Sequence, residues 1–148
     1  MEQLFGLKAR ERAQGVALAA DAAHLLTEVG FLAAATGDMA NAEPIFKALR
    51  LFRPCRAYPR IGLAVALMNA GKTETAVRAL ERDAEEMDDE EAGLLDVWRA
   101  VALQVAGRRA ESVKLLRRIA GNGTPAAELA EGLLGLGRER QERAWKSE

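Results

Sequence analysis

Thirty-four residues separate Gly37 from Gly71, Ala42 from Ala76, and Phe46 from Leu80. A third copy of the same set, Gly107, Ser112 and Leu116, follows with a slip of two residues. Self-similarity at this period marks a chain built of helical hairpins, each too small to bury its own apolar face and obliged to stack on the next. That requirement constrains the chain more than any other feature it has.

Composition agrees. Of 148 residues, 49% are hydrophobic, 29% charged and 5% aromatic. This is the balance of a folded chain with a continuous core, not of a disordered one. Small side chains dominate the apolar set, which favours closely packed helices. The net charge of −1 gives no global electrostatic basis for nucleic-acid binding.

Chemistry is sparse. His24 and Cys55 are the only histidine and cysteine. Neither a cluster of Cys and His metal ligands nor an intramolecular disulfide can be assembled from them. There is no phosphate-cradling glycine loop. No catalytic residue, cofactor or metal site is expected, and the chain does not read as an enzyme. Lys8, Arg10, Glu11 and Arg12 stand where the apolar core of a signal peptide would begin. The most apolar stretch, residues 15–26, is interrupted by Asp21 and His24 and is too short to cross a bilayer. The expectation is a cytoplasmic chain with no membrane span.

Taken in order, residues 1–22 predict an amphipathic helix that breaks near Gly15. It either caps the end of the stack or docks a partner. Leu4, Phe5 and Leu7 are the candidates for an oligomer contact such as a homodimer. The first hairpin pairs a helix over 23–36 with one reaching Phe52. Gly30 falls where the two must pass closely, Gly37 is a left-handed cap and Asp38 an N-cap. Pro44 is harmless only if its helix begins near Asn41, and otherwise predicts a kink. The second hairpin begins near Tyr58, with Thr73 and Thr75 as capping candidates and Ala76, Val77 and Leu80 as its packing face. The acidic run over 81–91 reads as a solvated turn whose later acids favour the next helix N-terminus, or as a patch for a basic partner. The third hairpin covers about 92–120. Thr124 and Pro125 then open a last helix to about Trp145, weakened by Gly132, Gly135 and Gly137 at roughly 1 kcal/mol each.

These residues resemble tetratricopeptide repeats. That family has a small residue at position 8 of its repeat, Gly at 15, Ala at 20 and a bulky apolar residue at 24. Repeats over 23–56, 57–92 and 93–122 supply Gly30, Gly37, Ala42 and Phe46; Ala64, Gly71, Ala76 and Leu80; and Ala100, Gly107, Ser112 and Leu116. Pro54 fills position 32 in the first repeat only, and the family's aromatics at positions 4 and 11 are absent. The resemblance implies an all-α, right-handed superhelix of about three hairpins with a helix at each end, in a single domain over 1–148.

It also implies which residues face the concave groove. These are His24, Thr27 and Phe31, with Ala34 and Ala35; Tyr58, Ile61, Val65, Met68 and Asn69; and Leu94, Val97, Val101, Gln104 and Val105. The set is mainly apolar and lacks the Lys, Arg and Asn of a carboxylate clamp. It suits an amphipathic helix or an apolar extended segment of a protein partner. Alternatively, some of these residues are core, covered by a terminal helix folded into the groove. The run Leu49-Arg50-Leu51-Phe52-Arg53-Pro54 followed by Gly62-Leu63-Ala64 is similar to the small tetratricopeptide chaperones of bacterial type III secretion. That resemblance implies a chaperone shielding an apolar segment of an export substrate. The alternative is a generic adaptor or assembly subunit working through terminal helices or the convex surface.

Overall fold

A computed structural model describes residues 2–81, 87–135, 143 and 145–146. The side chain of Phe5, the acids Asp83, Glu85 and Glu86, and Leu136 and Gly137 lie outside the described residues. The described chain is all-α. Its helices are α1 (Glu2–Ala35), α2 (Met39–Phe52), α3 (Tyr58–Asn69), α4 (Thr73–Ala79), α5 (Asp89–Val105), α6 (Arg109–Ile119) and α7 (Pro125–Leu134).

The three repeat glycines end α1, α3 and α5 identically. Gly37, Gly71 and Gly107 adopt φ of +69°, +79° and +80°. In each case the glycine N–H donates to the carbonyl three residues back. The following N–H, of Asp38, Lys72 or Arg108, donates to the carbonyl five residues back. This is the Schellman closure, in which a left-handed residue satisfies the last carbonyls of a helix and turns the chain. The remaining repeat positions are core. Ala64, Ala100, Ala42, Ala76, Ser112, Leu80 and Leu116 are fully buried and Phe46 is 1% exposed. Ser112 is tolerated inside because its hydroxyl donates to the Ala100 carbonyl at 2.7 Å.

Ties between repeats run at the period itself. Glu91 accepts from the Ala57 N–H, Arg108 donates to Glu74, and the Asn69 amide donates to the Ala35 carbonyl. Each pair is 34 residues apart. The first of the helices in each hairpin touch one another in sequence, α1 on α3, α3 on α5 and α5 on α7. The second helices, α2, α4 and α6, make no contact with each other among the described residues. A layer packed side by side against a layer held apart curves the stack, with α1, α3 and α5 on the inside. Small residues make the close layer: Ala34, Ala64, Ala66, Ala100 and Ala102 are fully buried. A Cβ on Gly30 would lie 2.9 Å from Ile45 Cγ2, and one on Gly62 would enter the Phe46 ring.

Several expectations change. The break near Gly15 is absent, and residues 1–22 are not a separate capping helix. Residues 2–35 form one helix of 34 residues, and every described side chain from Gln3 to Ala22 is exposed. Alanines surround Gly15, and a helix already nucleated in the body propagates through one glycine at modest cost. The continuity makes Gly6–Ala35 long and apolar enough, by length and composition, to cross a membrane. Seating it in a bilayer would withdraw Gly30, Ala33 and Ala34 from the core they occupy.

Pro44 stands inside α2, which starts at Met39 and not near Asn41, and runs on to Phe52. The carbonyl that Pro44 leaves unpaired belongs to Ala40, on the exposed side. Asp38 does cap α2. Neither Thr73 nor Thr75 caps α4. Lys72 holds the N-cap position, without a side-chain bond. α7 ends at Leu134 with Gly135, whose φ is +80°, as its C-cap; residues 136–142 of the longer helix expected to Trp145 lie outside the described residues. Its N-cap is Thr124, with Pro125 following.

Candidate functional site

The inner layer of α1, α3 and α5 presents the face that the repeat register assigns to a partner. It carries no buried titratable cluster. Its character is set by which side chains remain accessible once the layer has packed.

At the N-terminal end, a recess of about 470 Å³ is lined by Ala20, Ala23, His24, Thr27, Arg53, Arg56 and Tyr58. His24, Thr27 and Tyr58 are thus brought together. The Thr27 hydroxyl is turned back to the Ala23 carbonyl at 2.7 Å. His24 Nε2 lies 3.2 Å from Glu28 Oε1, one helical turn on. Arg53 and Arg56, in the connection between α2 and α3, were not visible as site residues in the sequence. The signal for them was only the Pro54 stop, which makes a loop at the mouth of the groove. Arg56 Nε is held 3.2 Å from Glu91 Oε1, while Glu91 Oε2 accepts from the Ala57 N–H at 2.6 Å. Glu91 therefore caps the start of α3 from the next repeat. Together with Asp88, which caps α5, it is structural rather than part of an acidic patch.

Along the middle of the face Phe31, Val65, Met68, Leu94 and Val101 are half-buried. Phe31 stands edge-on to Phe46, with ring centroids 5.1 Å apart and planes at 74°. Gln104 and Val105 are exposed. Four residues assigned to the groove have other work. Ile61 and Val97 are 5% and 4% exposed and belong to the main core. Asn69 spends its amide on the Ala34 and Ala35 carbonyls, at 2.8 and 3.4 Å, joining the first two repeats. Ala34 is fully buried. No described terminal helix lies in the groove: α7 packs on α5 and α6 at the far end, and the first part of α1 projects.

Away from this face, Arg60 is 5% exposed and donates to the carbonyls of Ala79 and Glu81, closing the end of α4. Among the described residues, no group of three or more His, Cys, Asp or Glu is placed to hold a metal ion.

The family model for tetratrico peptide repeats matches residues 23–125. The chain belongs to the tetratricopeptide repeat family. No curated protein and no solved structure matches it. Repeats of this family generally bind protein partners and are generally non-enzymatic interaction modules. The matched segment opens at Ala23, inside α1, so the projecting part of that helix precedes the repeats.

Proposed function

We propose that the chain is a cytoplasmic chaperone of a type III secretion system, which shields an apolar segment of an export substrate on the inner face of its repeats. The observation that carries this is the character of the accessible residues there: Phe31, Val65, Met68, Leu94, Val101 and Val105 run along all three repeats. A segment that will later bury itself in an assembly exposes apolar surface beforehand, and a face of this kind covers it. The polar handles, His24, Tyr58 and Gln104, lie at the ends of that strip and set register rather than affinity. The reading includes no catalysis, no cofactor and no bilayer span.

The test is co-purification with a partner. Val65→Glu, Val101→Glu and Val105→Glu are expected to lose the partner while helicity by circular dichroism is retained. Val105 is 53% exposed, so a charge there leaves the core alone. Binding that survives all three substitutions removes the groove assignment.

A second reading, an adaptor using its convex side, is favoured by Leu51 and Phe52. These are 85% and 69% exposed at the end of α2. In that case Phe52→Glu abolishes binding and the groove variants do not.

A further inference from the structure

The recess at the N-terminal end of the inner face carries a charge that an apolar strip does not need. Its α1 wall is made of small residues, Ala20 and Ala23, and of Thr27, whose hydroxyl is turned back to the Ala23 carbonyl. The facing wall is the connection between α2 and α3. There the Arg56 N–H donates to the Arg53 carbonyl at 3.1 Å, closing a four-residue turn with Pro54 in its second position. The Arg53 N–H donates to the Leu49 carbonyl at 2.8 Å, which fixes the turn to the end of α2. A turn of this kind holds its first and last residues within about 7 Å of each other. Arg53 and Arg56 therefore hang side by side from a rigid support, and both line the recess.

Their donors are not spent elsewhere. Arg53 is exposed and has no ion pair among the described residues. Arg56 is held through Nε by Glu91, and its two terminal nitrogens have no partner among the described residues. The Tyr58 hydroxyl also has none there. Among the described residues no acid lines the recess. Glu91 cancels the charge of Arg56 and Glu28 faces His24. Arg53 is left as the surplus cation.

We propose that this recess binds one acidic side chain of the partner segment, an Asp or Glu, and so fixes the direction in which that segment lies along the inner face. The inference rests on the inner face being the binding face. A guanidinium presents parallel N–H donors matched to the two oxygens of a carboxylate, and a preformed support lowers the ordering cost. One surplus cation balances a monoanion. A phosphate, with nearly two charges, would be left undercompensated beside Glu91. The volume of about 470 Å³ takes a side chain together with the backbone that carries it. On α1, Ala20, His24, Thr27 and Phe31 follow at steps of four, three and four residues, so they share one side of the helix. The recess is thus continuous with the apolar strip through Phe31. Ala20 is exposed and α1 projects beyond it, so the segment can run on past the recess. The carboxylate is for that reason assigned to a side chain and not to a chain end.

The test selects peptides on the full chain from a random library whose C-termini are fused to the carrier, so that only side chains offer a carboxylate. Wild type is expected to enrich peptides with apolar anchors and an Asp or Glu at one fixed offset to one side of them. Arg53→Glu is expected to enrich Lys or Arg at that offset. Apolar anchors without a fixed acid overturn this inference and leave the reading of the inner face standing. Peptides without apolar anchors, or no enrichment, overturn both. An acid recovered only at the last residue of a library with free C-termini overturns the side-chain assignment. Affinity is then read by fluorescence anisotropy with one selected, labelled peptide. Arg53→Gln, or replacement of the peptide's acid by its amide, is expected to weaken binding about tenfold, and the two together hardly more than either alone. Losses that add, or an Arg53→Gln chain of unchanged helicity that binds as wild type does, overturn the contact.

Discussion

Phe46 and the two glycines beneath it set the spacing of the first two repeats. Its ring lies on Gly62 and beside Gly30, and its other side meets Phe31. Gly62→Ala forces the ring to move within a filled core. A loss of about 1–3 kcal/mol is expected, read as a lower urea midpoint, with partial recovery in Gly62→Ala/Phe46→Leu. Gly37 and Gly71 offer a paired comparison. Both need a left-handed backbone, which costs alanine about 1–2 kcal/mol. Only Gly37 also packs against the Asn69 carbonyl, 3.0 Å from where a Cβ would stand. Gly37→Ala is therefore expected to lower the midpoint more than Gly71→Ala. At Glu111, the hydrogen bond from Arg108 holds the carboxyl below its ordinary value of 4.5. A lowered acid contributes stability above its unfolded value and loses it as pH falls through the lowered one. Urea midpoints of wild type and Glu111→Gln should therefore differ at neutral pH and converge well below pH 4.5. The repeat glycines were legible in the sequence because their role is backbone conformation, which depends on the residue itself. Gly62 was not, since its role depends on a ring that arrives from another helix.

Among the elements, α1 and the α3 start show where local reading stops. Gly15, Asp21 and His24 mark a boundary by propensity, yet the helix runs through them because repeat 1 nucleates it and alanines extend it. Its exposed leucines lie on a second face, which a search for one core-facing stripe does not isolate. The start of α3 is held by Glu91 from the following repeat, 34 residues away. Glu91→Ala removes the cap and the Arg56 pair together. It is expected to cost about 1–2 kcal/mol, and Glu91→Gln less, because the amide oxygen still accepts from Ala57. Amide exchange at the first turn of α3 should quicken in the alanine variant before exchange in α5 does. The acidic run gave no sign of this role, since a carboxylate in a run of eight acids reads first as solvated. The helix of residues 125–134 was legible at its start, from Thr124 and Pro125. At its end three glycines competed as terminators, and Gly135 took that position.

For the whole molecule, the repeat register could not tell accessible residues from buried ones within the layer of α1, α3 and α5. Ile61 and Val97 occupy the same repeat position and sink into the core. Val65 and Val101, one turn later, remain half open. That difference arises from how closely α1, α3 and α5 approach, which small residues on neighbouring repeats decide. What remains accessible is an apolar strip along one side of a curved stack, with an uncovered helix at one end. The most direct measurement is a parallel pull-down from the cells that make the protein, using wild type, Val65→Glu, Val101→Glu and Val105→Glu, with Phe52→Glu as the outer-face control. The account predicts that one partner is lost from all three groove variants and kept by Phe52→Glu. A partner kept by the groove variants and lost from Phe52→Glu, or lost only when residues 1–22 are removed, would contradict it.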